Sequence, residues 1–170
     1  MMYLGNLLFV EADWLAFAFR EIDHRIAYVL QPDSKGLNTG APVFILARQD
    51  AARQIVLFGH VSSYTERTTP IDSWRWLGHR TGFLTEQDYF EWVRTRLHLS
   101  PASEVDVMSF TYLTLITPAI TLGSVGIEVS CDKVIHELTP DEVLAVLRAL
   151  PASARTDWTE KVIARNNELS

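Results

Sequence analysis

The sequence predicts a single α+β domain over residues 1–170, with a small β-rich core and helices at its periphery. Two observations carry that prediction. The first is the stretch Gly40–Tyr64, GAPVFILARQDAARQIVLFGHVSSY, which contains two short apolar runs rich in β-branched and aromatic residues. Each run is bounded by Gly or polar residues, as buried strands require. The second is composition: 170 residues, 48% hydrophobic and 21% charged, are enough for one domain with a real core and short for two.

Taken in order, Tyr3–Val10 reads as a strand and Glu11–Arg20 as a helix, with Trp14, Phe17 and Ala18 on one apolar stripe. Acidic Glu11 and Asp13 suit the positive end of that helix. Ile26–Leu30 is a further short strand, and QPDSKGLNTGAP after it has the composition of a loop. Pro42–Ala47 and Gln54–Ser62 are the two central strands, joined by the polar turn Arg48–Arg53. Gly59 inside the second run marks a bulge, a corner or a close backbone approach.

Thr65–Gly82 is polar and unusually aromatic, and reads as an exposed extended segment. In extended backbone the Trp74-Arg75-Trp76 alternation places both indoles on one side, as a stacking surface. Thr85-Glu-Gln-Asp88 is a cap for a helix to about Leu97. Met108–Thr117 and Ser124–Ser130 are read as strands separated by Pro118 and Gly123. Thr139-Pro140-Asp141-Glu142 combines a Thr cap, a first-position Pro and first-turn carboxylates, starting a helix that runs to Leu150. A last polar helix near Asp157–Asn166 either covers the core with Trp158 or frays.

Net charge is −6, with ten Lys or Arg against eleven Asp or Glu in residues 1–100 and five against ten beyond. An acidic chain gains little from non-specific phosphate attraction, so nucleic-acid binding requires a local basic face. Twelve of the fifteen cations are Arg, which favours bidentate and stacked contacts. Arg48, Arg53, Arg67, Arg75 and Arg80 are the candidate phosphate contacts; their plain alternative is a solvated face paired with nearby acids. The single Cys131 excludes an internal disulfide and any multi-cysteine zinc site. The five histidines are scattered, without ligand spacing, so no metal and no cofactor is expected. No apolar run approaches the roughly 20 residues that cross a bilayer. MMYLGNLLFV lacks a basic start, so it reads as a strand; a cytoplasmic protein without membrane contact is expected.

LLFVEADW at 7–14, GAPVFI at 40–45 and IVLFGHVSSY at 55–64, in this order of elements, resemble the PUA-like β-barrel superfamily, in particular its EVE and ASCH branches. The resemblance covers roughly residues 3–130, with the helices over 139–168 added to it. Gly59-His-Val61 keeps the Gly-x-Val pattern of EVE-type domains, while Ala41 stands where they carry Asp. What the resemblance implies is a PUA-like β-barrel with peripheral helices and a pocket for a base, often a modified one, flipped out of RNA or DNA. It puts Trp14, Ser62, Ser63 and Tyr64 near the pocket and Trp74, Arg75 and Trp76 on its rim. His60, beside Gly59, is a base-edge donor or a general base. Each has a plain structural reading: Trp14 as core, Ser62 and Ser63 as turn residues, Tyr64 as the end of a strand, and His60 as a satisfied barrel histidine.

Small ASCH enzymes are similar to amidohydrolases acting on acylated cytidine through Lys, Thr and Glu, which implies Lys35, Thr39 and Glu21 as their counterparts here. FREIDHRIAY at 19–28 lacks the Gly and the Lys of the ASCH signature. A nucleic-acid-binding module without catalysis is therefore the leading expectation. An amidohydrolase and an acidic protein that binds a protein partner through exposed aromatics are the alternatives.

Overall fold

The computed structural model describes residues 5–31, 39–130 and 133–169. Tyr3, Lys35 and Cys131, on which expectations were placed, lie outside these residues, as does most of the loop before Gly40. Among the described residues six strands and five α-helices follow in the order β1 (Gly5–Val10), α1 (Ala12–Arg20), β2 (Ile26–Leu30), β3 (Pro42–Ala47), β4 (Gln54–Thr68), α2 (Pro70–Leu77), α3 (Glu86–Arg96), β5 (Val105–Thr121), β6 (Ile135–Leu138), α4 (Pro140–Ala149) and α5 (Asp157–Leu169). The α+β class is as expected. The sheet is mixed, with strand order β2-β5-β4-β3-β1-β6. Its terminal strands β2 and β6 are not neighbours in that order, so the expected barrel is an unclosed sheet among the described residues.

Local sequence explains most of the elements. β3, and β1 from Leu7 onward, are continuous apolar runs, and the two strands pair in parallel, from Asn6 opposite Val43 to Val10 opposite Ala47, in the sheet interior. β2 runs antiparallel to β5, Ile26 opposite Phe110 and Leu30 opposite Asp106. α4 begins with a complete capping box: Thr139 Oγ1 accepts from the Glu142 N–H, and the Glu142 carboxylate accepts from the Thr139 N–H. At α3, Thr85 Oγ1 accepts from the Asp88 N–H.

Two compact units emerge from the chain, one of Met1–Leu15, Ala41–Gly59 and Thr114–Ser170, the other of Ala16–Gly40 and His60–Leu113. The first is built on Leu7, Phe9, Phe44, Phe58, Val146 and Val162, among others, with α4 and α5 supplying the helical share of its core. In the second, Ala27 and Val29 of β2 and Val105 and Val107 of β5 pack with Leu77, Tyr89, Val93 and Leu97.

Three expectations are corrected. Residues 70–77 form α2, not extended backbone: Thr69 caps it by accepting from the Asp72 N–H, and Pro70 occupies its first turn. Successive helical residues turn by about 100°, so Trp74 and Trp76 do not share a side. β5 continues through Pro118 to Thr121, since the fixed φ of proline is compatible with extended backbone. Ser124–Ser130 is not a strand: Leu122–Val125 is a 3₁₀ turn, closed by Gly126 at φ +74. Ile127 and Val129 are buried while Glu128 and Ser130 are exposed, which is a strand-like pattern without a ladder. The Arg53 guanidinium, not a neighbouring strand, donates to the Val129 carbonyl. The strand that does exist in this part of the chain is β6, antiparallel to β1, and it was not expected.

Candidate functional site

β4 lies inside the sheet between β5 and β3, and its sequence changes character along its length. Ile55, Leu57, Phe58 and Val61 are buried. Past Val61 the alternation of buried and less buried positions lapses, and Ser62, Ser63, Tyr64 and Thr65 are all half-buried. A run of half-buried polar side chains on an interior strand is costly unless each has a partner, and here each of the four expected site residues on β4 has one.

His60 stands at the head of the run. Its Nδ1 lies 3.0 Å from the Gly40 carbonyl oxygen, which can only accept, so Nδ1 carries the proton in the neutral ring. The Gly40 N–H in turn donates to the Val61 carbonyl at 2.7 Å. Gly40 has φ +89, a conformation in which a residue with a Cβ is strained, and this turn holds its carbonyl over the imidazole. Burial lowers the His60 pKa below its ordinary 6.5, outweighing the opposing effect of the Gly40 carbonyl.

A pH prediction follows. The native state disfavours protonated His60, so the contribution is fully present above the unfolded value of 6.5 and is lost as pH falls through the lower folded value. Wild type should therefore lose more unfolding free energy than His60→Gln between about pH 7.5 and about pH 5 in urea titrations. Equal losses in the two proteins would contradict the buried, neutral imidazole.

Ser62 donates from Oγ to the Ser109 carbonyl at 2.9 Å. Ser63 Oγ accepts from Arg25 Nη2 at 3.1 Å. Tyr64 donates its hydroxyl proton to Asp106 Oδ2 at 2.6 Å, and the other carboxylate oxygen accepts the Arg67 backbone N–H at 3.1 Å. Asp106 is 2% exposed. Sequence reasoning missed Asp106 and Arg25, because their partners lie 42 and 38 residues away along the chain.

The remaining candidates are dispersed. Trp14 is buried in α1, within the first unit. Trp74 is half-buried in the second, its ring centre 5.7 Å from that of Tyr89 and 6.2 Å from that of His79. Trp76 is 45% exposed. Arg75 faces Asp72 at 3.6 Å on the surface, and Arg80 is exposed in a 3₁₀ turn, Gly78–Thr81. Arg67 adopts φ +52 and is exposed. In the first unit Arg48 donates its backbone N–H to the Val10 carbonyl. Arg53 borders an open surface groove of about 550 Å³ that also touches Leu122, Gly123, Ile127 and Glu128. Glu21 is paired with His24 Nδ1 at 3.0 Å, and Thr39 is exposed. Among the described residues no group of three His, Cys, Asp or Glu side chains is placed to hold a metal ion, and no helix is long and apolar enough to cross a membrane.

No protein-family model and no curated protein matches this chain. Its fold is similar to that of an ASCH protein from Zymomonas mobilis, whose crystal structure superposes with a TM-score of 0.65 at 12% identity, over 86% of this chain and 96% of that one. A Tyr-to-Phe variant of the same protein gives a TM-score of 0.67 at 12% identity, over 86% of this chain and 99% of that one. The likeness to this ASCH protein is one of fold.

Proposed function

We propose that the chain is a nucleic-acid-binding module of ASCH/PUA-like fold that reads a flipped base, modified or not, with the polar run of β4. The observation that carries this reading is His60: half-buried on an interior strand, its ring orientation set by the Gly40 carbonyl and its charge suppressed by burial. A neutral imidazole with a defined tautomer is suited to reading the edge of a base. The serine, tyrosine and aspartate bonds described above hold the strand around it, as a recognition element needs. Cytoplasmic RNA or DNA is the setting this reading implies. Exposed Trp76, beside Arg75, is suited to stacking an unpaired base, a contact of roughly 1–3 kcal/mol.

Binding of labelled single- and double-stranded RNA and DNA, with and without modified bases, tests the reading over a salt series. Selective binding that persists as salt rises is expected, since non-specific phosphate attraction then fades. His60→Ala should weaken the preferred strand about tenfold, the value of one lost hydrogen bond of about 1.4 kcal/mol. No binding at low salt overturns the proposal and leaves a protein partner, met by the exposed Ile71, Trp76 and Leu84, as the reading to pursue.

A further inference from the structure

The open surface groove of about 550 Å³ beside Arg53 lies wholly within the first unit. One of its walls is the turn at Ala51, Ala52 and Arg53 with Leu122 and Gly123, and the other is the segment Ile127–Ser130. Ile127 and Val129 are buried while Glu128 and Ser130 are exposed, so the second wall has the alternation of a strand. In such backbone the N–H and C=O of Ile127 and of Val129 point to one edge. Two of these four groups are used: the Ile127 N–H donates to the Leu122 carbonyl at 3.0 Å, and the Val129 carbonyl accepts from Arg53 Nη1. Both partners belong to the first wall, so this edge faces the groove. Among the described residues the other two groups, the Ile127 carbonyl and the Val129 N–H, have no partner. A strand edge with unpaired main-chain groups is a template for another chain.

Arg53 is half-buried, and no ion pair joins it to a carboxylate among the described residues. Asp50, the acid nearest to it in the chain, is committed to the turn: Oδ1 accepts from the Ala52 N–H and Oδ2 from the Gln54 N–H, each at 3.0 Å. The turn holds Arg53 at φ +51, a strained conformation for a residue with a Cβ, and the Arg53 carbonyl accepts from the Leu122 N–H at 3.0 Å. One N–H of the guanidinium goes to Val129, which leaves the rest of its fork for an anion.

We propose that this groove binds the C-terminal tail of a partner protein, its last two residues paired in parallel with Ile127–Val129 and its carboxylate held by Arg53. In parallel pairing a single residue donates its N–H to the Ile127 carbonyl and accepts from the Val129 N–H, the two groups left over here. The tail then runs toward Val129, where the guanidinium meets its terminal carboxylate. The antiparallel sense puts the carboxylate at the opposite end, away from that charge. The bond from Ile127 to Leu122 closes the edge upstream, so the rest of the tail leaves through the open side of the groove. Register also sets the sequence. The penultimate side chain stands beside exposed Glu128, which favours Lys or Arg, and the last lies on the side of buried Val129, Ile127 and Leu122, which favours an apolar residue. A lining with one Arg and one Glu has no net charge, which does not suit a phosphodiester strand. The proposal is independent of base reading by β4.

The test titrates the isotope-labelled full chain with the hexapeptide Gly-Ser-Gly-Ser-Lys-Val and follows its amide resonances by NMR, because a two-residue contact is weak. The free acid should shift the Glu128 and Val129 amides and bind about tenfold more tightly than the same peptide as its C-terminal amide. Glu in place of the Lys should weaken binding about threefold. Arg53→Ala should abolish the preference for acid over amide, and Arg53→Lys should keep part of it. Equal binding of acid and amide by wild type overturns the proposal without recourse to any variant. So does a peptide that moves no resonance at millimolar concentration, or an Arg53→Ala protein that melts at lower temperature yet keeps the preference. Tighter binding of the free dipeptide Lys-Val than of the hexapeptide overturns the tail as occupant. Shifts at Arg53 and Val129 from a single-stranded RNA decamer, with none from the peptide, assign the guanidinium to phosphate and overturn it as well.

Discussion

Phe58→Ala is expected to lower the unfolding free energy by about 3–5 kcal/mol, the range for deleting a large aromatic side chain from a core. Phe58 is 1% exposed, and its ring stacks on Phe44 with centres 5.2 Å apart and planes 17° from parallel. Trp158 of α5 lies against it at 6.3 Å. Deleting the ring removes buried apolar area and also leaves a void between a sheet strand and a helix, two elements that cannot easily collapse to fill it. Phe58→Leu keeps most of the volume and should cost less than about 1.5 kcal/mol. Urea unfolding of the three proteins checks the order. A loss below about 1 kcal/mol in Phe58→Ala would mean that this ring is not packed as described.

The second large effect is electrostatic in origin and lies in the other unit. Asp106 presents one carboxylate oxygen to the Tyr64 hydroxyl at 2.6 Å and the other to the Arg67 N–H at 3.1 Å, with only 2% of the residue exposed. Removing both acceptors in Asp106→Ala takes a hydrogen bond to a carboxylate from each of two donors, and should cost about 3–4 kcal/mol. Asp106→Asn keeps one oxygen but turns an NH₂ donor on one of the two donors, so about 2 kcal/mol is expected. Tyr64→Phe removes the other side of the short bond. The pair Asp106→Asn and Tyr64→Phe should be non-additive by about 1–3 kcal/mol in a double-mutant cycle. Additive losses would show that the short contact contributes nothing beyond the separate burial of each group. Arg67 also depends on this carboxylate, because its backbone sits at φ +52, which costs a residue with a Cβ about 1 kcal/mol or more.

How much of this was legible in the sequence differs from element to element. β2 and β3 fall where their apolar runs place them, at Ile26–Leu30 and Pro42–Ala47, because a buried strand bounded by Gly, Pro and polar residues is a local signal. α4 was equally legible from Thr139, Pro140 and Glu142. Thr69, Pro70 and Asp72 make the same kind of start for α2, but the W-R-W alternation that follows reads as extended backbone and hid it. The signal was present and the wrong period was given weight. Ser124–Ser130 failed in the opposite way: its alternating burial is real at Ile127–Ser130, yet a strand also needs a neighbour to pair with, and Arg53 meets the Val129 carbonyl instead.

The candidate site was legible only in outline. The polar run His60–Tyr64 stood out because it follows an apolar strand, but its partners Gly40, Arg25, Asp106 and Ser109 are separated from it by 20 to 47 residues. By itself the sequence determined the α+β class, most of the helices and the two central strands, since caps, proline positions and apolar periodicity act within a turn or a few residues. Only the tertiary structure decided that β1 pairs with β3 in parallel, that β6 exists, that the sheet does not close and that Arg25 reaches β4. Those outcomes depend on contacts between distant parts of the chain, where backbone hydrogen bonds are the same for every residue and burial of whole strands, not local propensity, selects the register.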